Sequence, residues 1–273
     1  MPRPQIEFIQ SQCLPWRPDT RFGLGPGVQV KVLSEDSESG AVSLLVRYPA
    51  GWAAPAGARS ADEEFLVLYG SLAVGDALFD PLNYAHWPRG WRTGPRASRQ
   101  GAVVLTFFSG PPDGAPPADY DPARLVERLD GHDVPYTGNF HPDFPAGAGR
   151  KVLFTDPETR ETSWLLGTLP VRWAERAEVH DHVEEMYLLA GESHGDRGVM
   201  RPGAYFWRPG LIAHGPYGTL TGNLYFFRTK GGGLITRYVD PERPFRWHPP
   251  YDPALPGHLR PLAHEAPAGP ACW

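Results

Sequence analysis

From Lys31 onward the chain states one pattern and then states it again. Lys31-Val32-Leu33 returns as Lys151-Val152-Leu153, and Ser43 as Ser163, at an offset of 120. After a one-residue slip Trp52 falls on Trp173, Glu63-Glu64 on Glu184-Glu185, Gly70 on Gly191, Pro81 on Pro202, Tyr84 on Tyr205, Pro88 on Pro209 and Gly94-Pro95 on Gly215-Pro216. At an offset of 119, Leu105-Thr106-Phe107-Phe108 matches Leu224-Tyr225-Phe226-Phe227. A duplication of this length means two similar domains in tandem, each of ordinary domain size.

Within each copy, short runs rich in Val, Leu, Phe and Tyr alternate with turn residues. In the first copy these are Ala41 to Tyr48, Phe65 to Ala73, Tyr84 to Trp87 and Ala102 to Ser109; in the second they are Ser163 to Leu169, Met186 to Ala190, Tyr205 to Trp207 and Asn223 to Arg228. With 31 Gly and 32 Pro in 273 residues, long helices have little room to propagate. The pattern predicts an all-β chain of two antiparallel sandwiches or barrels with little helix. One helix is expected from Pro122 to Asp130, with Asp121 as cap, Pro122 in the first turn, Leu125, Val126 and Leu129 as an apolar stripe, and Gly131 as the stop. The expected organisation is an N-terminal extension over 1–24, a first barrel over 25–112, a Pro-rich linker over 113–149, a second barrel over 150–245 and a tail over 246–273.

A formal charge of -5 offers no basic field for a phosphate backbone, so nucleic acid is not an expected partner. No apolar run approaches the ~18 residues of a membrane span, and the first residues lack the pattern of a secretory leader, so a cytoplasmic location is expected. Cys13 and Cys272 are too few for a disulfide framework and are read as free thiols.

The chemistry concentrates in the second copy. In Val179-His180-Asp181-His182-Val183-Glu184-Glu185, an extended backbone would place His180 and His182 on one face, with a carboxylate following at once. His214 lies beyond the turn Arg208-Pro209-Gly210 and can be aimed back into the same interior. Three neutral imidazoles and a carboxylate suit one divalent first-row metal, Fe(II), Mn(II), Zn(II), Ni(II) or Cu(II), with positions left open for a substrate or dioxygen. Glu185 is the alternative carboxylate. Tyr205 and Trp207 precede the turn to His214 and are the aromatic residues expected to touch substrate.

These segments resemble the two motifs of the cupin superfamily. His180-x-His182 with Glu184, then six intervening residues and Gly191, resembles the first motif; Gly203, then five intervening residues and Pro209, with Gly210 and His214, resembles the second. The pattern departs in several places: the starting Gly of the first motif is missing, and Gly210 follows Pro209 directly where the family has one residue between. One residue instead of three or four separates His182 from Glu184, and three instead of two separate Gly210 from His214. The resemblance implies a bicupin of two double-stranded β-helix, or jelly-roll, barrels, closest to ChrR-like and diketone-cleaving cupin domains. It further implies one divalent metal per chain with Fe(II) favoured, dioxygenase chemistry on a small oxygenated or aromatic molecule, and a homodimer. A metal- or ligand-binding sensor without turnover is the alternative it carries.

In the first copy, the offset of 121 puts Arg59 at the position of His180, Ala61 at His182 and Thr93 at His214, and retains only Glu63. A lone carboxylate does not hold a catalytic cation, so Glu63 is expected to pair with Arg59 or another cation and the first barrel to bind no metal. His86 reads as a packed ring, and His194, beside Gly195, Asp196 and Gly198, as a solvated loop residue.

Overall fold

The computed structural model describes residues 3–138, 144, 146–265 and 271–273; positions 139–143 and 145 of the expected linker and 266–270 of the expected tail lie outside the described residues. Among the described residues the regular structure is almost entirely β, with only single-turn 3-10 helices beside the strands. No helix among the described residues is long and apolar enough to cross a membrane. The chain divides into two compact units, Met1–Arg3 with Leu14–Asp133, and Pro4–Cys13 with Val134–Trp273. The first strand, β1 (Ile6–Gln10), therefore counts with the second unit.

In the first unit follow β2 (Arg17–Pro18), β3 (Gln29–Glu35), β4 (Val42–Tyr48), β5 (Trp52–Ala54), β6 (Glu63–Gly70), β7 (Leu72–Val74), β8 (Ala77–Phe79), β9 (Asn83–Trp87), β10 (Arg96–Ser98), β11 (Ala102–Phe108) and β12 (Val126–Asp130). A seven-stranded sheet in the order β12-β9-β6-β11-β4-β3-β2 faces a four-stranded sheet in the order β5-β10-β7-β8. Their apolar faces share one core that includes Val46, Trp52, Phe65, Leu72, Phe79 and Trp87. Phe65 and Trp87 meet edge to face at 4.8 Å, and burying each such side chain stabilises the fold by roughly 1.5–3 kcal/mol.

The second unit contains β13 (Ala148–Thr155), β14 (Thr162–Thr168), β15 (Arg172–Trp173), β16 (Ala177–His180), β17 (Val183–Gly191), β18 (Ser193–Gly195), β19 (Gly198–Met200), β20 (Ala204–Arg208), β21 (Gly218–Thr219), β22 (Asn223–Lys230) and β23 (Thr236–Val239). It repeats the jelly-roll arrangement. A six-stranded sheet ordered β1-β20-β17-β22-β14-β13 accompanies a four-stranded sheet ordered β15-β21-β18-β19, and β16 pairs with β23 as a separate ribbon.

The ladders refine the repeat. Ala102 faces Gly70 and Asn223 faces Gly191, so the offset of 121 persists into the last strand of each copy. The match at 119 is thus two residues out of register; because side chains alternate with a period of two, that slip keeps every residue on its proper face and preserves the apolar pattern. Gly70 and Gly191 end the long strands just beyond a bulge, at φ 69° and 77°. A Cβ there would meet the carbonyl oxygen of Gly101 at 2.0 Å or of Gly222 at 1.9 Å, so neither position admits a side chain.

The expected helix at Pro122 to Asp130 does not form. Asp121 caps only the turn Pro122–Arg124, accepting from the Ala123 amide at 2.9 Å, after which the chain extends into β12. Nine residues make a marginal helix, whereas β12 gains a ladder along β9, with Val126 opposite His86 and Leu129 opposite Tyr84. Strand β1 takes the same edge of the other sheet, with Ile6 opposite Trp207. The two edge strands match in sequence, Ile6-Glu7-Phe8-Ile9 against Val126-Glu127-Arg128-Leu129, at the offset of 120. Each copy thus sends its leading strand into the other copy's sheet, and the segment read as an N-terminal extension is a structural strand.

Candidate metal centre

Glu178 and His180 alternate on β16 and so share a face. His214 is drawn alongside by a two-way bridge: its amide donates to the Glu178 carbonyl at 3.0 Å, and the Glu178 amide donates to the His214 carbonyl at 2.9 Å. One donor atom from each of Glu178, His180 and His214 lies within 4.8 Å of the other two. Glu184, entering from β17, places Oε1 3.4 Å from His180 Nε2 and Oε2 3.7 Å from His214 Nε2.

The ring orientations are fixed from behind. His214 Nδ1 lies 3.0 Å from the Ile212 carbonyl, which only accepts; Nδ1 therefore carries the proton and Nε2 presents a lone pair to the cluster. His180 Nδ1 pairs with the Thr236 hydroxyl at 3.1 Å, while its buried Nε2 makes no hydrogen bond. Burial lowers the pKa of His180 and, with the nearby Arg208 charge, drives that of His214 well down. Both rings are neutral, the form that ligates metal. Burial, reinforced by Glu184, pushes the Glu178 carboxyl up to about 7.

Behind Glu184 stands Arg208, 1% exposed. It donates from Nη1 to Glu184 Oε2 at 2.6 Å, from Nε to Glu7 Oε2 at 2.6 Å, from Nη2 to Glu7 Oε1, and from Nη2 to the Tyr217 hydroxyl at 2.9 Å. The cluster opens into a cavity of about 90 Å³ whose walls include Trp164, Leu166, Met186, Phe206 and Phe227. A space of this size suits a small molecule.

Residues 5–111 match the family model of the ChrR cupin-like domain. A dioxygenase candidate from Nostoc punctiforme has a similar structure, with a TM-score of 0.78 at 21% identity over 87% of this chain and 88% of that one. This chain has the cupin fold. Oxalate decarboxylase of Bacillus subtilis is similar at a TM-score of 0.55 and 13% identity, over 85% of this cupin and 78% of that chain. A second structure of that decarboxylase, concerned with its Mn(II) centres, has a TM-score of 0.55 at 12% identity over 85% and 79% of the two chains. A search of curated proteins found no match. With two units of the same topology, the chain is a bicupin.

The donor set of this bicupin fits a divalent cation. Two neutral imidazoles and two carboxylates converge, and one imidazole nitrogen is buried with no hydrogen-bond partner. The residues present also balance: with Glu7, Glu178 and Glu184 ionised against Arg208, two negative charges remain, the complement of a divalent ion.

His182 takes a different place from the one its spacing predicted. Strand β16 ends at His180 and β17 begins at Val183, so the chain bends at Asp181-His182 and the alternation breaks. The His182 ring packs against Gly231 and Gly232, where a Cβ on Gly232 would meet Nε2 at 2.3 Å. Glu178, two residues upstream of His180, occupies the shared face in its stead. The signal was present in the sequence as Glu178-x-His180. Between the two candidate carboxylates, Glu184 faces the cluster, whereas Glu185 points to the opposite side of β17 and accepts from Tyr205 Oη at 2.6 Å.

Tyr205 and Trp207 lie on the far face of β20 from the cavity. Phe206 and Arg208, the alternate residues of the same strand, line it. His194 is not a solvated loop residue: it sits buried on β18, with Nδ1 on the Trp247 carbonyl and its ring edge-on to Trp247. His86 is buried, its Nδ1 2.7 Å from the Arg124 carbonyl. Neither Cys13 nor Cys272 forms a disulfide.

In the first unit Glu63 is fully engaged. Arg96 grips both oxygens at 2.7 Å and Arg59 Nε donates to Oε2 at 2.9 Å. Burial alone would raise the carboxyl pKa, but the two guanidiniums overcome it and hold the group at about 2. Gly57 bridges Thr93 as Glu178 bridges His214, so this unit has Gly57, Arg59 and Thr93 where the second has Glu178, His180 and His214.

Proposed function

We propose that this bicupin is a metal-dependent enzyme, a non-haem Fe(II) dioxygenase acting on a small oxygenated or aromatic molecule held in the second unit. The observation that carries the reading is the convergence of Glu178, His180, His214 and Glu184 on one end of a small cavity with apolar walls. The similarity to a dioxygenase candidate supports the reaction class; the Mn(II) centres of the decarboxylase make manganese the chief competitor to iron.

When bound, a redox-active divalent ion supplies a Lewis acid for substrate oxygens and electrons for dioxygen. The protein's own part is legible in the side chains. Glu178, His180 and His214 would hold the ion, and Glu184 Oε1 would adjust its charge. Thr236 and the Ile212 carbonyl keep the two imidazoles turned inward. Trp164, Leu166, Phe206 and Phe227 exclude water and pack the carbon skeleton, which strengthens each polar contact at the closed end.

The test has two stages. In metal-loading experiments followed by elemental analysis, His180→Ala and His214→Ala are expected to lose bound iron, and His182→Ala to retain it. Oxygen uptake by the iron-loaded protein is then measured across small diketones and phenols. Iron binding without uptake on any of them would replace the dioxygenase by a non-oxidative reaction. The match of residues 5–111 to the ChrR cupin-like domain favours a second reading, a ligand-responsive sensor; ligand binding with no turnover and reversible, ligand-dependent protein association is its signature.

A further inference from the structure

The two units solve the same problem in opposite ways. Each has a buried glutamate at the head of its long strand, Glu63 on β6 and Glu184 on β17, and each has a buried arginine donating to it. In the first unit Arg96 spends its fork on Glu63, one nitrogen per oxygen, and the carboxylate keeps no oxygen for another partner. In the second unit the arginine comes from β20, directly opposite Glu184 in the ladder, and the equivalent position in the first unit is Trp87, opposite Glu63. Only Nη1 of Arg208 reaches Glu184, through Oε2. The remaining nitrogens, Nε and Nη2, are occupied by Glu7.

We infer that Glu7 is a positioning residue of the metal centre: by occupying the bidentate fork of Arg208, it confines that arginine to one oxygen of Glu184 and leaves Oε1 free for the cation beside His180. A guanidinium prefers paired, parallel hydrogen bonds to a carboxylate. Glu7 satisfies that preference on the side away from the cluster. Its counterpart in the other edge strand, Glu127 on β12, is exposed and has no arginine opposite, since position 87 is Trp. The carboxylate that frees the site thus arrives on the strand exchanged from the first copy, some 170 residues from the cluster in sequence.

The inference rests on the metal reading above, so its test separates the two. Mn(II) affinity is measured by titration calorimetry and by the electron paramagnetic resonance signal of the bound ion, on the full chain. Glu7→Gln is expected to weaken Mn(II) binding about 10–100-fold, the range for losing an outer-shell partner. Adding Arg208→Gln to it removes the competing fork and is expected to restore affinity to within about threefold of the unmodified protein, an outcome a purely structural role of Glu7 does not produce. A crystal structure of metal-free Glu7→Gln should show Arg208 on both oxygens of Glu184. Glu7→Asp, which keeps the charge, serves if Glu7→Gln does not fold, and is expected to weaken binding by a smaller factor. Unchanged Mn(II) affinity in the single variant, or a double variant that binds no better than the single, overturns the inference. Failure of the unmodified protein to bind Mn(II) or Fe(II) overturns the metal reading, and the metal-free variant structure then decides separately whether Glu7 governs the fork.

Discussion

Replacing Glu63 with Gln removes the anion from a site where two guanidiniums are held at 2.7 and 2.9 Å and where Arg96 is 6% exposed. Breaking one partner out of a buried pair costs about 3–5 kcal/mol, because the surviving charge is left without compensation. A second route gives a similar size. The carboxyl is held at about 2 against an ordinary 4.5, and a shift of this extent corresponds to roughly 3 kcal/mol of stability at neutral pH. The sign follows from the depressed value: the contribution is complete above about 4.5 and drains away as pH falls towards about 2. Urea unfolding monitored by tryptophan emission is a suitable assay, since Trp87 lies 4.7 Å from the Arg96 guanidinium and reports the first unit. At pH 7, Glu63→Gln should lose about 3 kcal/mol, and between pH 4.5 and 2 it should lack the decline that Glu63 contributes to the unmodified protein. Glu63→Met with Arg96→Met should recover most of the loss, because a matched apolar pair needs no compensation. A loss under about 1 kcal/mol at pH 7, with an unchanged pH slope, would refute the claim that this buried network, and not apolar packing alone, fills the place of a metal centre in the first unit.

Other outcomes follow from the second unit. Tyr205→Phe deletes the buried hydrogen bond to Glu185 and should cost about 1–2 kcal/mol in thermal or urea unfolding, while metal content stays unchanged because the pair lies on the far face of β17 and β20. Glu178 is pushed up to about 7 and must surrender its proton to accept a cation; metal uptake should release a proton below that pH and weaken as pH falls, and calorimetry in buffers of different ionisation enthalpy should find this release absent from Glu178→Gln. Leu166→Trp should fill the small cavity and weaken substrate binding while the metal stays bound, as separate titrations of the two would read.

Much of the architecture is legible from the duplicated strands, because a sandwich core needs the same apolar alternation in both copies. The pairing of Glu63 with Arg59 is legible too, since a retained carboxylate with its imidazole neighbours replaced must find a cation. What escapes is set by local backbone. The bend at Asp181-His182 swaps the face of a predicted ligand, and no residue type there announces it. The cavity-facing side of β20 depends on a parity of one residue, so Tyr205 and Trp207 exchange roles with Phe206 and Arg208. Val126 to Asp130 carries apolar residues at a spacing that suits either a helix turn or a strand, and the open edge of β9 decides between them.

The reciprocal passage of β1 and β12 makes each half the other's missing edge. A boundary drawn through the middle of the gene would yield two fragments that each end in a bare strand, β20 or β9, and each carry a spare strand with no place to bind. Each fragment lacks the edge strand that the other carries, and the unit with the candidate metal centre cannot be shortened to its own copy of the repeat without surrendering Glu7.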